Sequence, residues 1–331
     1  MSEANNLLVL SAADVRRLLP MGECIDVMER AMLATSAGKV SFPPRVFVPV
    51  ADGNATFGLM PGSNPEPPAY GAKIISLHPG NPDIGLPMIQ GFVVLFDYES
   101  GVPSAMMEGA TITGIRTAAA SGLATRVLAR ADARTHGIFG TGVQAVTHID
   151  AVASARDIDT VVVWGRNADK AKAFADEQSA RTGSDIRATA DPEEAAACDV
   201  ISAVTDAPEP ILKGAWVKPG AHVNLVGSHS SQRREADSDL VAAARVYVDY
   251  MESAMNEGGD IVIPLEEGRI STAHILGEIG QCIAGDVAGR QTDTDITLYK
   301  SLGIVAQDLF AAEYIYRQAQ QQGAGSSVEF S

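Results

Sequence analysis

The stretch His136-Gly-Ile-Phe-Gly-Thr-Gly-Val-Gln-Ala145 decides how the rest of the chain is read. Apolar Ile138-Phe139 runs straight into Gly140-x-Gly142-x-x-Ala145, and a helical pattern follows over Val143–Ala155. This order, strand then glycine turn then helix, is the fingerprint of a dinucleotide-binding βαβ unit. Gly140 lets the chain turn tightly, Gly142 leaves room for a pyrophosphate to approach the backbone, and Ala145 lets the helix pack close to the strand. The helix N-terminus then offers its amides to the phosphates. A chain rich in Ala and Gly meets such a pattern by chance, so context decides. Thr160-Val-Val-Val-Trp164 arrives where the next strand of the unit belongs. Cofactor contacts are therefore expected at Gly140, Thr141, Gly142, Val143, Gln144 and Ala145.

Working outward, the chain after the turn alternates β and α, as a parallel sheet requires. Strands are expected at His136–Phe139, Thr160–Trp164, Asp185–Ala188, Asp199–Val204, His222–Val226 and Arg245–Val248. Helices are expected at Asn167–Ala180, Met251–Gly258, Thr272–Ala284 and Leu302–Gln321, with a frayed tail from Gly323. The chain before the turn reads differently. Ser11 caps a helix to Leu19, and Met21–Lys39 carries apolar residues at helical spacing. Arg45–Val50, Ala55–Met60 and Tyr70–Leu77 alternate as strands do, and Met88–Asp97 and Val102–Met107 flank a turn at Tyr98–Gly101. This is a mainly antiparallel sheet. A Pro- and Gly-rich loop, His78–Pro87, is of the kind that shapes the edge of a site, and Thr111–Arg130 forms the helix that leads into the glycine turn.

The chain has 331 residues, enough for two domains of ordinary size. A net charge of −16 excludes a phosphate-backbone partner, which needs a basic face, so no nucleic acid is expected. Any anionic substrate must be caught by local cations. Cys24, Cys198 and Cys282 are too widely spaced for a disulfide framework or a metal site and read as free thiols. His78, His136, His148, His222 and His274 show no pair spacing for a metal, so none is expected. No N-terminal apolar run resembles a signal peptide and no span approaches membrane length, so a cytoplasmic location is expected.

The end of the second strand selects the cofactor. An NAD site places an acid there, roughly 20 residues past the glycines, to hold the ribose 2′-hydroxyl. Here the chain reads Trp164-Gly-Arg166-Asn167, without an acid. Arg166 suits a 2′-phosphate, with Asn167 beside it. NADP(H) is favoured and NAD(H) remains open, since Asp169 follows closely.

Gly71-Ala-Lys73, Pro79-Gly-Asn81, Leu86-Pro87, Gly101-Val-Pro103 and Thr113-Gly-Ile-Arg116-Thr117-Ala-Ala119 precede the glycine turn. Gly258-Gly-Asp260, Gly277-Glu278, Gly289-Arg290, Lys300-Ser-Leu-Gly303 and Gln307-Asp308 follow it. This ordered set, spanning nearly the whole chain, resembles the ornithine cyclodeaminase/mu-crystallin family, in its mu-crystallin-like ketimine reductase branch. The resemblance implies an α/β fold in which a Rossmann dinucleotide-binding domain, 119–304, is inserted into an α+β substrate-binding and dimerisation domain, 1–118 with 305–331. It implies a homodimer acting on small amino or imino acids, with a nicotinamide carrying hydride. It places the substrate carboxylate against Arg45, Lys73 and Arg116, and adds Thr117, Thr205, Lys300 and Gly303 to the cofactor contacts, with Asp308 helping to hold the segment that closes over the nicotinamide. Three cations around one carboxylate fix its orientation, and their mutual repulsion lowers the pKa of Lys73 toward neutrality.

One departure is informative. Cyclodeaminases of the family carry an aspartate near the substrate amine, and here the matching residue is His229, in Val226-Gly-Ser-His229. A histidine suits an imine better than a cationic diamine and titrates where a proton donor is useful. The expected catalytic residues are Lys73 and His229, and the expected activity is NADPH-dependent reduction of ketimines or cyclic imine 2-carboxylates, or the reverse amino-acid dehydrogenation. Two alternatives stay open: an NAD-dependent, ammonia-releasing ornithine cyclodeaminase, and a non-catalytic NADP-binding crystallin-like protein.

Overall fold

The computed structural model describes residues 6–50 and 53–330. The chain forms two compact units, Met1–Arg116 with Ile304–Ser331, and Thr117–Gly303. The division falls inside a helix.

The first unit opens with β1 (Asn6–Leu10), α1 (Ala12–Leu18) and α2 (Met21–Ser36). Ser11 and Asp14 form a reciprocal capping box that starts α1. Five strands follow, β2 (Val46–Val50), β3 (Ala55–Pro65), β4 (Pro68–Leu77), β5 (Ile89–Phe96) and β6 (Pro103–Glu108), each antiparallel to the next. Helix α3 (Gly109–Leu128) begins where the Glu108 carboxylate accepts the amides of Ala110 and Thr111, so an acid at the strand end caps this helix, not Thr111 or Thr113.

The second unit is a parallel sheet with intervening helices. It comprises β7 (Thr135–Phe139), α4 (Val143–Ala155), β8 (Thr160–Trp164), α5 (Ala168–Thr182), β9 (Asp185–Thr189), α6 (Pro192–Ala196) and β10 (Val200–Ala203). Then come β11 (His222–Leu225), α7 (Ser238–Ala243), β12 (Arg245–Val248), α8 (Met251–Glu257), α9 (Gly259–Glu266), β13 (Ile275–Glu278), α10 (Ile279–Ala284) and β14 (Thr297–Lys300). The eight strands lie in the order β13-β12-β14-β11-β10-β7-β8-β9. Strands progress outward from β7 to β9 and then return to β10 on the other side. The carboxyl ends of β7 and β10 thus flank the reversal point where such sheets bind ligands. Apolar residues on both faces, among them Ile138, Val163, Ile201 and Val223, are buried as a doubly covered sheet requires.

The chain then returns to the first unit as α11 (Val305–Gln322) and β15 (Ser326–Glu329). Helix α11 packs on α2, β3 and β4. The seven-stranded sheet has the order β15-β1-β6-β5-β4-β3-β2.

Several expectations need correction. Thr272–Ala284 is not one helix: Thr272–His274 is a single tight turn, Ile275–Glu278 pairs with β12, and a capping box at Glu278 starts the helix only at Ile279. Ile275 and Ile279 satisfy a helical period, but the open edge of β12 claims the first of them. The tail does not fray, because the edge of β1 supplies antiparallel partners to Ser326–Glu329. The last helix starts at Val305, since the Asp249 carboxylate takes the amides of Leu302 and Gly303 and Gly303 turns at φ +79°. Strand β14 was not foreseen; it lies between β11 and β12. Among the described residues no helix is long and apolar enough to cross a membrane.

Candidate active site

Within the first unit, one acidic side chain draws two cations together. Lys73 is in the middle of β4, Arg116 lies on α3, and Asp308 is on the first turn of α11. Asp308 Oδ1 accepts from Lys73 Nζ at 3.2 Å and from Arg116 Nε at 3.1 Å. Arg116 Nη1 also donates to Gln307 Oε1. All four residues are buried. Strand pairing puts Lys73 beside Met60 and Val93, on the face that α11 covers. A two-residue period therefore turns one lysine inward at the centre of an apolar layer.

Burial dominates the chemistry of this lysine. The pKa of Lys73 falls to about 8, first because burial disfavours the ammonium and next because Arg116 and Arg45 repel it, while Asp308 opposes the fall. The direction expected from crowded cations holds, but desolvation outweighs repulsion. Arg45 is half-buried just ahead of β2 and close enough for its charge to reach Lys73. Asp308 Oδ2 and Gln307 Nε2 are buried with no hydrogen-bond partner among the described residues. Buried polar atoms are paired in nearly all proteins, so an unpaired acceptor and donor beside two cations mark a polar ligand's place. Asp308 thus anchors Lys73 and Arg116 in the first unit.

Within the second unit, the glycine turn has the geometry its sequence implies. Gly140 sits at φ +123°, a conformation that side chains disfavour, and its amide donates to Trp164 O. At Gly142 an added Cβ would meet no protein atom within 4 Å. Internal packing therefore does not require glycine there, whereas an approaching ligand does. Gly142 is the N-cap of α4 and no side chain caps that helix. Thr141 is half-buried, Val143 is exposed, and Ala145 is fully buried against Ile138 and Val163. Gln144 Oε1 is buried with no hydrogen-bond partner among the described residues. An uncapped helix N-terminus and a bare glycine fit a dinucleotide diphosphate.

Arg166 is exposed beyond the end of β8. The Asn167 side chain caps α5 by accepting from the Lys170 amide. Thr205 packs beside the turn: its Cγ2 would stand 3.3 Å from a Cβ on Gly140. Its amide and hydroxyl both donate to Glu235 Oε1, at 2.6 and 2.7 Å. Thr117 is buried on α3. His229 is exposed on the loop after β11. Lys300 is fully buried, and its ammonium donates to Asp260 Oδ2 at 2.9 Å and to Ser228 O at 2.8 Å. Gln307, Glu235 and Asp260 went unrecognised as participants. Asp260 and Gln307 stood in quoted motifs, while nothing in Arg233-Arg234-Glu235 signals a buried acid.

The family model described as the ornithine cyclodeaminase/mu-crystallin family matches residues 5–323. A Delta(1)-pyrroline-2-carboxylate reductase of Bacillus cereus is 38% identical over 326 residues, covering 98% of this chain and 100% of the relative. The ketimine reductase mu-crystallin of Mus musculus is 36% identical, covering 93% of this chain and 96% of its own. A solved structure of Thermococcus litoralis Delta(1)-pyrroline-2-carboxylate reductase in complex with NADH and L-proline matches with a TM-score of 0.94 and 39% identity, covering 97% of this chain and 100% of that one. The chain belongs to the ornithine cyclodeaminase/mu-crystallin family and is an NAD(P)-dependent oxidoreductase acting on carbon–nitrogen bonds.

Proposed function

We propose that this protein reduces five- or six-membered cyclic imine 2-carboxylates to L-amino acids with NADPH, and runs as an amino-acid dehydrogenase when concentrations reverse. The observation that carries this reading is the buried cluster of Lys73 and Arg116 on the single carboxylate of Asp308. Two cations on one anion leave a positive excess away from water, which favours a bound anion of small size. Arg45, Lys73 and Arg116 hold the substrate carboxylate. Asp308 keeps Lys73 and Arg116 in register. A lysine with a pKa of about 8 carries its proton at neutral pH and can release it to the imine nitrogen. His229 brings no fixed negative charge of the sort a cationic diamine requires.

The bound nicotinamide dinucleotide supplies the hydride. The free amides of the first turn of α4, around Gly142, Val143 and Gln144, hold its diphosphate, and Gly140 and Ala145 shape that turn. Thr117, Thr141, Thr205 and Gly303 border it. Arg166 pairs with the 2′-phosphate of NADPH, and Asn167 positions the loop by capping α5.

The test follows NADPH and NADH consumption with pyrroline- and piperideine-2-carboxylate, alongside ammonia release from ornithine. NADPH should be consumed with the imines. Arg166→Ala should raise KM for NADPH about 10–100-fold, the worth of a charge-assisted contact, and leave NADH nearly unaffected. Ammonia from ornithine without net cofactor change would overturn the reading, and an unchanged NADPH preference in Arg166→Ala would remove Arg166 from it.

The outer face of the first unit's sheet supports a homodimer. Register puts Val46, Val48, Phe57 and Phe92 on the face opposite Lys73. They are 50%, 50%, 41% and 36% exposed. Four large apolar side chains on one open face suit a second copy of the chain better than water. Light scattering should give twice the chain mass of 34.6 kDa, and Val48→Asp with Phe57→Asp should give the monomer; a wild-type monomer would reject the dimer.

A further inference from the structure

A closed polar ring lies under the carboxyl ends of the second unit's central strands, and its least expected member is Glu235. This residue sits in no helix or strand, yet it is fully buried. Its Oε1 accepts from the Thr205 amide and hydroxyl, on the loop after β10, and its Oε2 accepts from the Gly227 amide at 2.6 Å, on the loop after β11. The two loops are in direct backbone contact here: a Cβ on Gly227 would stand 1.8 Å from Thr205 O. The Glu235 and Ala236 amides donate to Asp260 Oδ1, at 2.8 and 3.0 Å. Asp260 Oδ2 accepts from Lys300 Nζ, and the same ammonium donates to Ser228 O, next to His229. The ring runs from Thr205 through Glu235, Asp260 and Lys300 back to the His229 loop.

Among the described residues no cation bonds Glu235 directly. Burying a carboxylate without one is costly, and an amide or an apolar side chain would fill the space more cheaply. What an amide cannot do is accept three hydrogen bonds from two loops at once. We propose that Glu235 is a positioning residue of the reductase, clasping the loops after β10 and β11 so that Thr205 and His229 are presented in one fixed arrangement. This rests on the proposed function, which puts both loops at the cofactor and substrate. The charged groups facing Glu235 are Asp260 of α9 and Lys300 of β14. Burial and Asp260 raise its pKa to about 7, against the pull of Lys300 and the Thr205 bonds. Protonation removes one acceptor site and slackens the clasp, so turnover falls as pH drops through neutrality.

The experiment uses the full chain with Glu235→Gln. kcat should fall about tenfold, as displacement of reacting groups by a fraction of an ångström does, with KM for imine and NADPH held within about twofold. The acid-side break near pH 7 should disappear from the kcat profile, and amide exchange at Thr205 and Gly227 should accelerate. A retained kcat with the acid-side break in place overturns the proposal. If Glu235→Gln does not fold, Thr205→Val removes one hydroxyl bond and keeps the carboxylate; it should lower kcat about threefold at constant KM, and an unchanged kcat overturns the proposal. Wild-type protein that turns over no imine refutes the functional reading alone. Amide exchange in Glu235→Gln then still decides the clasp, faster exchange supporting it and unchanged exchange rejecting it.

Discussion

Lys73→Met should lower kcat/KM for a cyclic imine 2-carboxylate by about 10³-fold or more, with KM for NADPH unchanged. Two losses combine in one atom. Removing a positioned proton donor costs roughly 10²–10⁴-fold, and removing one charge-assisted contact to the substrate carboxylate costs about 1.5–3 kcal/mol. Methionine fills similar volume, and Asp308 keeps Arg116 as a partner at 3.1 Å, so no charge is abandoned. The melting temperature should therefore stay within a few degrees. Lys73→Arg should not rescue turnover, because a guanidinium keeps its proton at any working pH. The pH profile provides the control. The protonated lysine is the active form and its pKa is about 8, so the alkaline limb of kcat/KM should fall as pH rises through that value. The break should be missing in Lys73→Met. A variant that keeps the wild-type rate, or the break, would dismiss Lys73 as the proton donor.

Acidification should unfold the second unit unusually steeply. His136, His148 and His222 are fully buried, and burial pushes their pKa values down to about 3, 4 and 3. Each is held neutral by specific bonds: His136 to Ser202, His148 to Ser121 and the Gln144 carbonyl, His222 to Thr297 and Asn224. The unfolded chain binds these protons near pH 6.5 and the folded chain does not. Stability from these residues is therefore complete above about pH 6.5, is lost as pH falls, and levels off only near pH 3–4. Each contributes about 1.4 kcal/mol per pH unit in that window, so the three together approach about 4 kcal/mol per unit. Denaturant titrations between pH 7 and 5, followed by tryptophan fluorescence, measure the slope. Both tryptophans, Trp164 and Trp216, belong to this unit, so the signal reports it directly. His148→Gln keeps hydrogen-bonding capacity without the ionisation and should remove about a third of the slope. A stability that is flat from pH 7 to 5 would contradict the account.

Much of the second unit was legible because its signals are local. β8, β12 and α4 begin and end where the sequence placed them, since a run of β-branched residues or a glycine turn sets each boundary within a few positions. What escaped was decided by partners distant in the chain. β14 carries only Thr-Leu-Tyr-Lys, too short for a period, and becomes a strand because β11 and β12 leave a gap of one strand between them. β15 reads as a polar tail and is ordered by the edge of β1. Charged side chains behaved likewise. Lys300, a lysine in a motif, is fully buried and paired with Asp260. Its burial follows from its register in a central strand, which no short-range pattern reports.

The amino-acid sequence by itself determined the class of chemistry: the glycine turn, the absence of an acid after the second strand, and two cations set in a recognisable order. Those are covalent, local properties, because a missing side chain at Gly142 or a guanidinium at Arg116 keeps its meaning wherever the chain carries it. Only the tertiary structure decided how the charges act. It brought Asp308 across 192 positions to Arg116 and 235 to Lys73, and it buried Lys73 deeply enough for desolvation to lower its pKa. It also enclosed Glu235 between two loops. Burial and pairing are relations between residues far apart in the chain, and they set the energy of a charge more strongly than its identity does.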